Sequence, residues 1–370
     1  MWQTIRLGDV CTISSSKRIF AKEYQTEGIP FYRGKEVIEK HNGNKVSTEL
    51  FISPKRYEEI KGKYEVPKKG DILLTSVGTL GIPWLVDEDD FYFKDGNLTW
   101  LRCNTQILPS YLYLWLNSAE AQNQIDVKCI GSTQKALTIE TLNKFQITLP
   151  SLELQKKIVA VINPIESRIN INRSVNENLE QQAQAIYCDM FITNANPSWQ
   201  LGRLSDLIAV RYGKNHKKLA DGIYPVYGSG GIMRYAEKPL YDKESVLIPR
   251  KGTLNNVMYV NKPFWSVDTM FFTEMKLPNV AKFVFHFVKS KDLASLNAGS
   301  AVPSMTTDIL NAMELSIPDA NTLYKFENIV APMYQAMQQN TQQSSKLAEL
   351  RDSLLPRLMS GEIDVTDIQI

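Results

Sequence analysis

The sequence predicts an α+β fold in which two mixed α/β domains are separated by a long antiparallel two-helix coiled-coil pair, with internal pseudo-two-fold symmetry. Residues 131–190 align without a gap with residues 299–358, at an offset of 168 residues. Within both stretches apolar residues recur at alternating steps of four and three, which is typical of paired helices. The chain has 370 residues, more than one hydrophobic core usually organises. Together these observations indicate two copies of one structural unit.

The repeat divides the chain into four segments. Residues 1–150 and 196–318 are predicted as the two mixed domains. Residues 151–195 are predicted as the first helical spacer, and residues 319–370 as the second spacer with a C-terminal tail. The mixed domains align with each other only when gaps are allowed, whereas the spacers need none. We therefore expect that the spacers kept their length while the domains diverged.

Short strands bounded by turn residues dominate the predicted mixed domains. Residues 71–75 and 91–93 are predicted strands, because glycine, proline and aspartate punctuate the chain around them. Residues 111–124 are a predicted helix, because apolar residues recur there at helical spacing. Gly78-Thr79-Leu80 follows a predicted strand in the first domain, and Gly252-Thr253-Leu254 does so in the second. The two domains are therefore expected to share one plan.

The two spacers are predicted to be long helices that pack on each other along a seam. In the first spacer the seam is formed by Ile158, Ile162, Ile165, Ile169, Asn172 and Leu179. In the second spacer it is formed by Met333, Met337, Asn340 and Leu347. Two such seams in one chain pack most simply as an antiparallel pair. A helix of about 40 residues is on the order of 60 Å long. One turn of duplex DNA is about 34–36 Å, so domains at the helix ends would suit two separated half-sites if they bind DNA.

Polar seam residues and two prolines leave local alternatives open. Asn172 and Asn340 occupy the same step of the two seams, where buried amides could fix the helix register. The other interpretation is that this stretch of the seam is simply more hydrated. Pro164 and Pro332 either kink their helices or mark the true helix starts. Because Asn163 suits a cap position and Ala331 does not, we prefer the kink.

Composition narrows the class of protein. The net charge is +2, so nucleic-acid binding would require local basic faces. The four cysteines lack the spacing of a zinc module or a disulfide framework. The chain starts without an apolar signal segment and contains no run of about 18 apolar residues, so no membrane association is expected. The expected location is the cytoplasm.

Five motifs in combination give the chain a family resemblance. They are WQTIRLGDV at residues 2–10, GDILLT at 70–75, GSTQK at 131–135, LPSLELQKKIV at 149–159 and LMSGEI at 358–363. The chain resembles the DNA-specificity subunit of type I restriction-modification systems over residues 1–363. The second half departs from the pattern, because it lacks the Gln134-Lys135 pair and carries Pro303-Ser304 in the corresponding stretch. Carrying that pair over to the second domain is therefore not justified.

The resemblance implies a DNA reader without catalytic activity. Each mixed domain would be a target-recognition domain that binds one half of a bipartite site on double-stranded DNA. The helices would set the spacing of the half-sites and dock two methyltransferase subunits, and restriction subunits that translocate DNA would be further partners. S-adenosylmethionine would bind the methyltransferase, and this chain would bind no cofactor. In agreement, the sequence contains no Asn-Pro-Pro-Tyr tetrapeptide, no Gly-x-Gly cofactor loop after a strand and no phosphate-binding P-loop.

The residues expected to contact DNA lie in basic loops rich in glycine and serine, since long cations bind phosphates and polar side chains read base edges. In the first domain they are Lys17, Arg18, Arg33, Lys35, Ser76, Gln134 and Lys135. In the second they are Lys214, Asn215, Lys217, Lys218, Ser229, Arg234, Arg250 and Lys251. For each of these residues the alternative is a solvated surface. Residues 55–69 also carry lysines, but glutamates between them favour a solvated face.

Other constellations point away from chemistry on this chain. The acidic residues 87–90 are interpreted as a charged turn and not as a metal site. His286 lies in an apolar run and is interpreted as a core or interface residue. Two other functions are possible from the sequence. A coiled-coil scaffold that binds protein would show weak, salt-insensitive DNA binding. A self-contained nuclease or methyltransferase is disfavoured by the missing motifs.

Overall fold

A computed structural model describes residues 2–44, 46–87, 90–128, 136–296 and 304–368. The chain folds as two compact units. Unit 1 consists of Met1–Arg173 with Thr341–Ile370, and unit 2 consists of Ser174–Asn340. Each unit therefore combines one mixed domain with parts of both spacers.

Unit 1 begins with a mixed domain of nine short strands and six short helices among the described residues. In chain order they are β1 (Gln3–Arg6), α1 (Leu7–Val10), β2 (Cys11–Ser14), β3 (Ile29–Tyr32), α2 (Gly34–His41), β4 (Phe51–Ile52), α3 (Pro54–Lys63), β5 (Ile72–Thr75), β6 (Pro83–Leu85), β7 (Tyr92–Phe93), β8 (Leu98–Cys103), α4 (Pro109–Leu116), α5 (Ala119–Lys128), α6 (Ile139–Asn143) and β9 (Gln146–Leu149). The long helix α7 (Leu152–Cys188) follows.

The single helix predicted over residues 111–124 is wrong, because the structure has two helices there. Asn117 ends α4, and its side-chain Nδ2 donates to the Tyr113 carbonyl at 2.9 Å. The Ser118 hydroxyl accepts from the backbone N–H of Ala121 at 3.4 Å at the start of α5. Short polar side chains that bond the local backbone compete with helix continuation. Apolar spacing alone did not reveal this break.

Unit 2 contains the end of α7, the second mixed domain and the first part of the second long helix, whose remainder belongs to unit 1. In chain order the elements are β10 (Gln200–Arg203), α8 (Leu204–Leu207), β11 (Ile208–Tyr212), β12 (Asp221–Gly228), β13 (Gly231–Ala236), β14 (Ser245–Pro249), β15 (Met258–Val260), β16 (Trp265–Ser266), β17 (Met270–Met275), α9 (Ala281–Lys289), α10 (Thr307–Asn311), β18 (Glu314–Ile317) and α11 (Ala320–Met359).

The two mixed domains have the same sheet topology. A four-stranded sheet has the order β2-β8-β5-β6 in unit 1 and β11-β17-β14-β15 in unit 2. A three-stranded sheet has the order β4-β3-β7 in unit 1 and β13-β12-β16 in unit 2. In both units the central strand of the three is parallel to one neighbour and antiparallel to the other. A two-stranded sheet, β1-β9 or β10-β18, joins the two ends of each domain. The duplication inferred from the sequence thus extends to domains whose sequences align poorly.

Each unit buries its part of the spacers in its own hydrophobic core. In unit 1, Ile158 and Ile162 of α7 and Leu358 of α11 are buried with Trp115 of α4. Gln155 is also buried, and its side chain bonds the backbone of Leu108, Gln106 and Pro150 at 2.8–3.0 Å. These bonds satisfy a buried amide and attach the start of α7 to the mixed domain.

In unit 2 a buried histidine links the helices to the mixed domain, as Gln155 does in unit 1. His286 of α9 is 0% exposed, which confirms its interpretation as a core residue. Its Nδ1 is 2.7 Å from Gln184 Oε1 on α7, and its Nε2 is 2.9 Å from the Tyr334 hydroxyl on α11. Both ring nitrogens are thus occupied by uncharged partners, and the ring connects three helices of the unit.

The long helices contact each other within each unit. In unit 1 the Asn172 side chain donates to Gln343 at 2.9 Å and to Ser344 at 3.2 Å. Arg351 bonds Glu166 in the same unit, so the helices run antiparallel there. In unit 2 the Asn340 amide donates to Asn176 Oδ1 at 2.9 Å. All predicted seam residues are buried or half-buried in their units.

Pro164 and Pro332 lie inside continuous helices. They do not mark helix starts, because α7 begins at Leu152 and α11 at Ala320. The side chains of both prolines are exposed, and the kink at each of them stays a prediction. Among the described residues, no helix is long and apolar enough to cross a membrane.

Candidate nucleic-acid interface

In each mixed domain, most of the described loops that carry predicted DNA contacts lie at one edge. In unit 1 the end of β2 and the end of β5 both pair with the start of β8, and the parallel strands β3 and β7 end side by side. We name the loops at this edge the unit 1 loop face: residues 15–18, 33–35, 76–79 and 94–97. The equivalent strand ends define the unit 2 loop face: residues 213–219, 229–231, 250–253 and 267–269.

The first loop of unit 1 is fixed against the strand that ends beside it. The Ser16 hydroxyl donates to the Phe93 carbonyl at 2.8 Å, and the Lys17 N–H donates to the Tyr92 hydroxyl at 2.7 Å. Arg18 forms an exposed ion pair with Asp95 at 2.8 Å. The side chains of Lys17 and Arg18 are therefore exposed, while hydrogen bonds hold the backbone of their loop in place.

Arg33 is oriented by a buried carboxylate. Its backbone N–H donates to Glu36 at 2.8 Å, and its guanidinium donates to the same carboxylate at 2.7 Å. Burial raises the pKa of Glu36, but the side-chain and backbone hydrogen bonds from Arg33 outweigh burial and lower it. Lys35 is exposed one turn from Glu39, with 3.8 Å between Nζ and the carboxylate. The Arg33 guanidinium is thus held in one orientation by Glu36, whereas the Lys35 side chain is exposed.

Ser76 is a correction to the predicted site. Its side chain is buried, and its hydroxyl lies 2.6 Å from the Thr99 hydroxyl. It bonds within the sheet and is not exposed toward a DNA edge. Sequence reasoning could not see this, because the inward or outward direction of a strand-end residue depends on its sheet partner.

Thr79 and Asn97 are candidate DNA-contacting residues that the sequence analysis did not predict. Together with Arg33, Lys35 and neighbouring residues they line a shallow cavity of about 540 Å³ on the unit 1 loop face. The Asn97 carbonyl accepts from the Ser76 N–H at 2.8 Å, which brings the segment before β8 to this edge. The signals were the Gly78-Thr79 turn and the Gly96-Asn97 turn. Gln134 and Lys135 lie outside the described residues.

The first loop of unit 2 is anchored through its backbone and leaves its lysines exposed. The Lys214 N–H donates to the Ser266 carbonyl at 2.8 Å, and the Lys214 carbonyl accepts from the Trp265 indole at 2.8 Å. Asn215 Oδ1 accepts from the Lys217 N–H at 2.9 Å, which closes the turn. The side chains of Lys214, Asn215, Lys217 and Lys218 are exposed.

Gly213 lets this loop approach the next strand closely. A Cβ at this position would lie 2.0 Å from the Val267 carbonyl oxygen, a backbone atom that cannot yield. Only glycine fits there. The close approach of Gly213 to Val267 therefore determines where Lys214, Lys217 and Lys218 lie.

Arg250 connects two loops of the unit 2 loop face. Its backbone N–H donates to the Thr269 carbonyl at 2.9 Å, and its guanidinium donates to the Asp268 carbonyl at 3.2 Å. The guanidinium also lies 5.3 Å from the ring centre of the half-exposed Tyr212, which is cation–π range. Lys251 is exposed beside it. Tyr212 thus joins the candidate residues as a platform for Arg250.

Ser229 and Arg234 have different surroundings although they are close in sequence. The Ser229 carbonyl accepts from the Asn256 side chain at 2.8 Å, which ties the β12–β13 turn to the loop after β14. Arg234 bonds the Leu219 carbonyl at 2.8 Å and pairs with Asp221 at 3.0 Å. Ser229 therefore lies on the loop face, whereas Arg234 is engaged within its own hairpin.

The chemistry of both loop faces is that of anion and base-edge binding. Long cations dominate, most strongly in unit 2, and amides and hydroxyls lie between them. Within the described part of the chain, no group of three or more His, Cys, Asp or Glu residues could hold a metal ion. Glu88 and Asp89 of the predicted acidic turn lie outside it.

This chain is similar in sequence and in fold to known proteins. A family model described as the type I restriction modification DNA specificity domain matches residues 1–181 and 196–344. A putative type I restriction enzyme specificity subunit from Haemophilus influenzae is 32% identical over 195 residues, covering 50% of this chain and 46% of that protein. This chain therefore spans about half of that relative. The MjaIX specificity subunit of Methanocaldococcus jannaschii is 23% identical over 421 residues, covering 99% of this chain and 94% of that protein.

A solved structure shows the same fold at low identity. The S subunit of a type I restriction-modification system from M. genitalium aligns with a TM-score of 0.56 and 16% identity. The alignment covers 97% of this chain and 96% of that one. The fold with two mixed domains and long helices is therefore one already known among such subunits.

Proposed function

The chain belongs to the family of type I restriction-modification DNA specificity proteins, and we propose that its two mixed domains each read one half of a bipartite DNA site. The family prediction made from the motifs is confirmed by the match over most of the chain. One structural observation carries the proposal: the same topology occurs twice, and each copy presents a different set of side chains on the same edge. A shared scaffold with unlike loop faces suits two unlike half-sites.

The two kinds of DNA contact divide among the candidate residues by the type of side chain. Lys17, Lys35, Lys214, Lys217 and Lys218 are exposed cations and would bind phosphates. Arg33 and Arg250 are held by carboxylate, carbonyl or ring contacts, and would present a fixed guanidinium to a base edge. The remaining candidates are Arg18, Gln134, Lys135, Asn215, Ser229 and Lys251.

The long helices would set the distance between half-sites and bind the partners. We infer a coiled-coil pair with internal pseudo-two-fold symmetry, supported by polar contacts in unit 1 and in unit 2 at equivalent seam steps. The same symmetry would offer equivalent docking faces to two methyltransferase subunits. Restriction subunits would join the complex through them.

Catalysis would belong to the partners. S-adenosylmethionine would bind the methyltransferase subunits, and this chain would contribute sequence choice alone. A role on chromosomal DNA would locate the protein in the cytoplasm. The alternative of a scaffold without DNA specificity is not favoured, because the matched family is one of DNA specificity proteins.

The test is sequencing of methylated sites in cells that carry the complete complex. We expect one bipartite motif with a fixed gap. A contiguous motif would contradict reading by two units. A second assay incubates the purified chain with DNA and labelled S-adenosylmethionine, and methyl transfer without a partner would contradict the division of labour.

A further inference from the structure

The tip of the β12–β13 hairpin exposes apolar side chains next to the unit 2 loop face. Met233 is 61% exposed and Ile232 is 46% exposed. Neither residue was a predicted contact. Large exposed apolar side chains beside a cationic surface would suit a ligand that combines negative charge with an apolar group.

A β-bulge positions Met233. Tyr227 pairs with Ile232, and the preceding residue, Val226, pairs with Arg234, so Met233 has no partner opposite it. Bulges redirect a side chain away from the regular alternation of a strand. Gly228 makes room for the redirected side chain, because a Cβ there would lie 2.5 Å from the Met233 sulfur. The backbone is thus adapted to one outward methionine.

The hairpin tip is continuous with the candidate DNA surface. Asn256 bonds the Ser229 carbonyl in the turn, and a Cβ on Gly252 would lie 2.7 Å from the Ser229 hydroxyl. Arg250 and Lys251 precede that glycine directly. Residues 228–233 contain no acidic side chain, whereas Asp221 and Glu237 lie at the opposite end of the hairpin. A polyanion at the tip would therefore meet no acidic side chain from residues 228–233 and would lie next to Arg250 and Lys251.

We propose that Ile232 and Met233 read thymine by packing on its 5-methyl group in the major groove. This inference rests on the proposed function. The 5-methyl group of thymine is the apolar feature that a base pair presents in the major groove, and a two-stranded ribbon fits that groove. Ile232 and Met233 would therefore be specificity-determining residues of the half-site that unit 2 reads.

The experiment compares thymidine with deoxyuridine, which differ only in that methyl group. The probes are duplexes with the methylation-mapped site, in which deoxyuridine replaces thymidine in one half at a time. We expect the complex with wild-type chain to lose about fourfold in affinity for each contacted methyl group, the value for burial of one methyl-sized group. The loss should occur in one half-site only. The double variant Ile232→Ala/Met233→Ala should bind both duplexes equally.

Two further variants make the result specific. Ile223→Ala removes another exposed apolar side chain, 79% exposed, at the base of the same hairpin, and should keep the wild-type preference for thymidine. Gly228→Ala should displace the Met233 sulfur and weaken the preference. The inference is overturned if the double variant discriminates the duplexes as wild type does, or if the site contains no T·A pair. If the wild-type complex binds no duplex specifically, the proposed function itself fails.

Discussion

Unit 2 has exposed lysines both on its loop face and at the opposite ends of its strands. Lys214, Lys217 and Lys218 follow Gly213, whose close approach to Val267 fixes where they leave the surface. Lys238, Lys243 and Lys262 are also exposed, but they lie at the opposite ends of the strands. The two sets therefore allow a comparison at equal change of charge.

Replacing Lys214, Lys217 and Lys218 with alanine should weaken DNA binding and reduce its salt dependence. Each phosphate contact contributes about 0.9 to the slope of log affinity against log salt, so the slope should fall by about 2 to 3. Binding titrations at several salt concentrations measure it. The matched variant Lys238→Ala/Lys243→Ala/Lys262→Ala should retain the wild-type slope, and an equal loss in both variants would contradict the site.

Burial of His286 makes the stability of unit 2 depend on pH. Burial, with a smaller effect of Lys289, lowers the pKa of His286 to about 4. The unfolded chain takes up a proton near pH 6.5, but the folded chain does not, so stability is lost as pH falls from 6.5 towards 4. The loss should be about 2 kcal/mol between pH 7 and pH 5. Urea unfolding followed at both pH values should show this loss in wild type. The variant His286→Gln should show less, and an equal loss would assign it to other groups.

At the scale of elements, amide side chains link the two long helices within each unit by hydrogen bonds. Asn176 accepts from Asn340, and its own amide donates to the Met337 carbonyl at 3.1 Å. These polar side chains are hydrogen-bonded to each other, as expected if amides in the seam set the register of the two helices. Hydration of the seam alone would not require such pairing.

A double-mutant cycle tests this lock. Asn176→Leu and Asn340→Leu should each destabilise the chain by about 1 kcal/mol, because each removes a partly buried hydrogen bond. The double variant should lose less stability than the sum of the two single variants, because either single change already removes the hydrogen bond between Asn340 and Asn176. Urea unfolding gives the coupling energy. Asn178→Leu, an exposed change on the same helix, serves as the control, and additive losses would show that the two amides do not act as a pair.

At the scale of the whole molecule, the repeat is unequal in a way that fits its proposed use. The stretch that aligns without gaps contains the helical spacers, while the mixed domains keep only topology. Even the packing of the helices on the domains differs. Unit 1 uses the buried Gln155, whereas Leu323 stands at the equivalent repeat position and unit 2 uses His286. Constant helix length and variable loop faces would allow target choice to change without changing the spacing.

Lengthening both helices tests the spacing role. One heptad inserted at matched positions of α7 and α11 adds about 10 Å, or about three base pairs. The methylated motif should keep both half-sites and widen its gap by about three base pairs, as mapping in cells would show. An insertion in one helix alone should abolish methylation, because it shifts the seam register. An unchanged gap with both insertions would show that the helices do not set the distance.

The sequence by itself determined the family, the duplication and the helical spacers. Repeat spacing and heptad periodicity are local patterns that survive without knowledge of the fold. The sequence also located the basic loops, because glycine and lysine clusters are visible along the chain. It failed at Ser76 and at the break between α4 and α5, where neighbouring side chains and strands decide the outcome.

Only the tertiary structure decided which loops form one surface and which of their side chains are exposed. Thr79, Asn97, Tyr212 and Met233 join the loop faces through strand ends that are distant in sequence, and a bulge turns Met233 outward. Strand order and register depend on long-range pairing, which periodicity cannot encode. For this reason the sequence indicated the kind of ligand, whereas the fold determined which candidate side chains are exposed together on one surface.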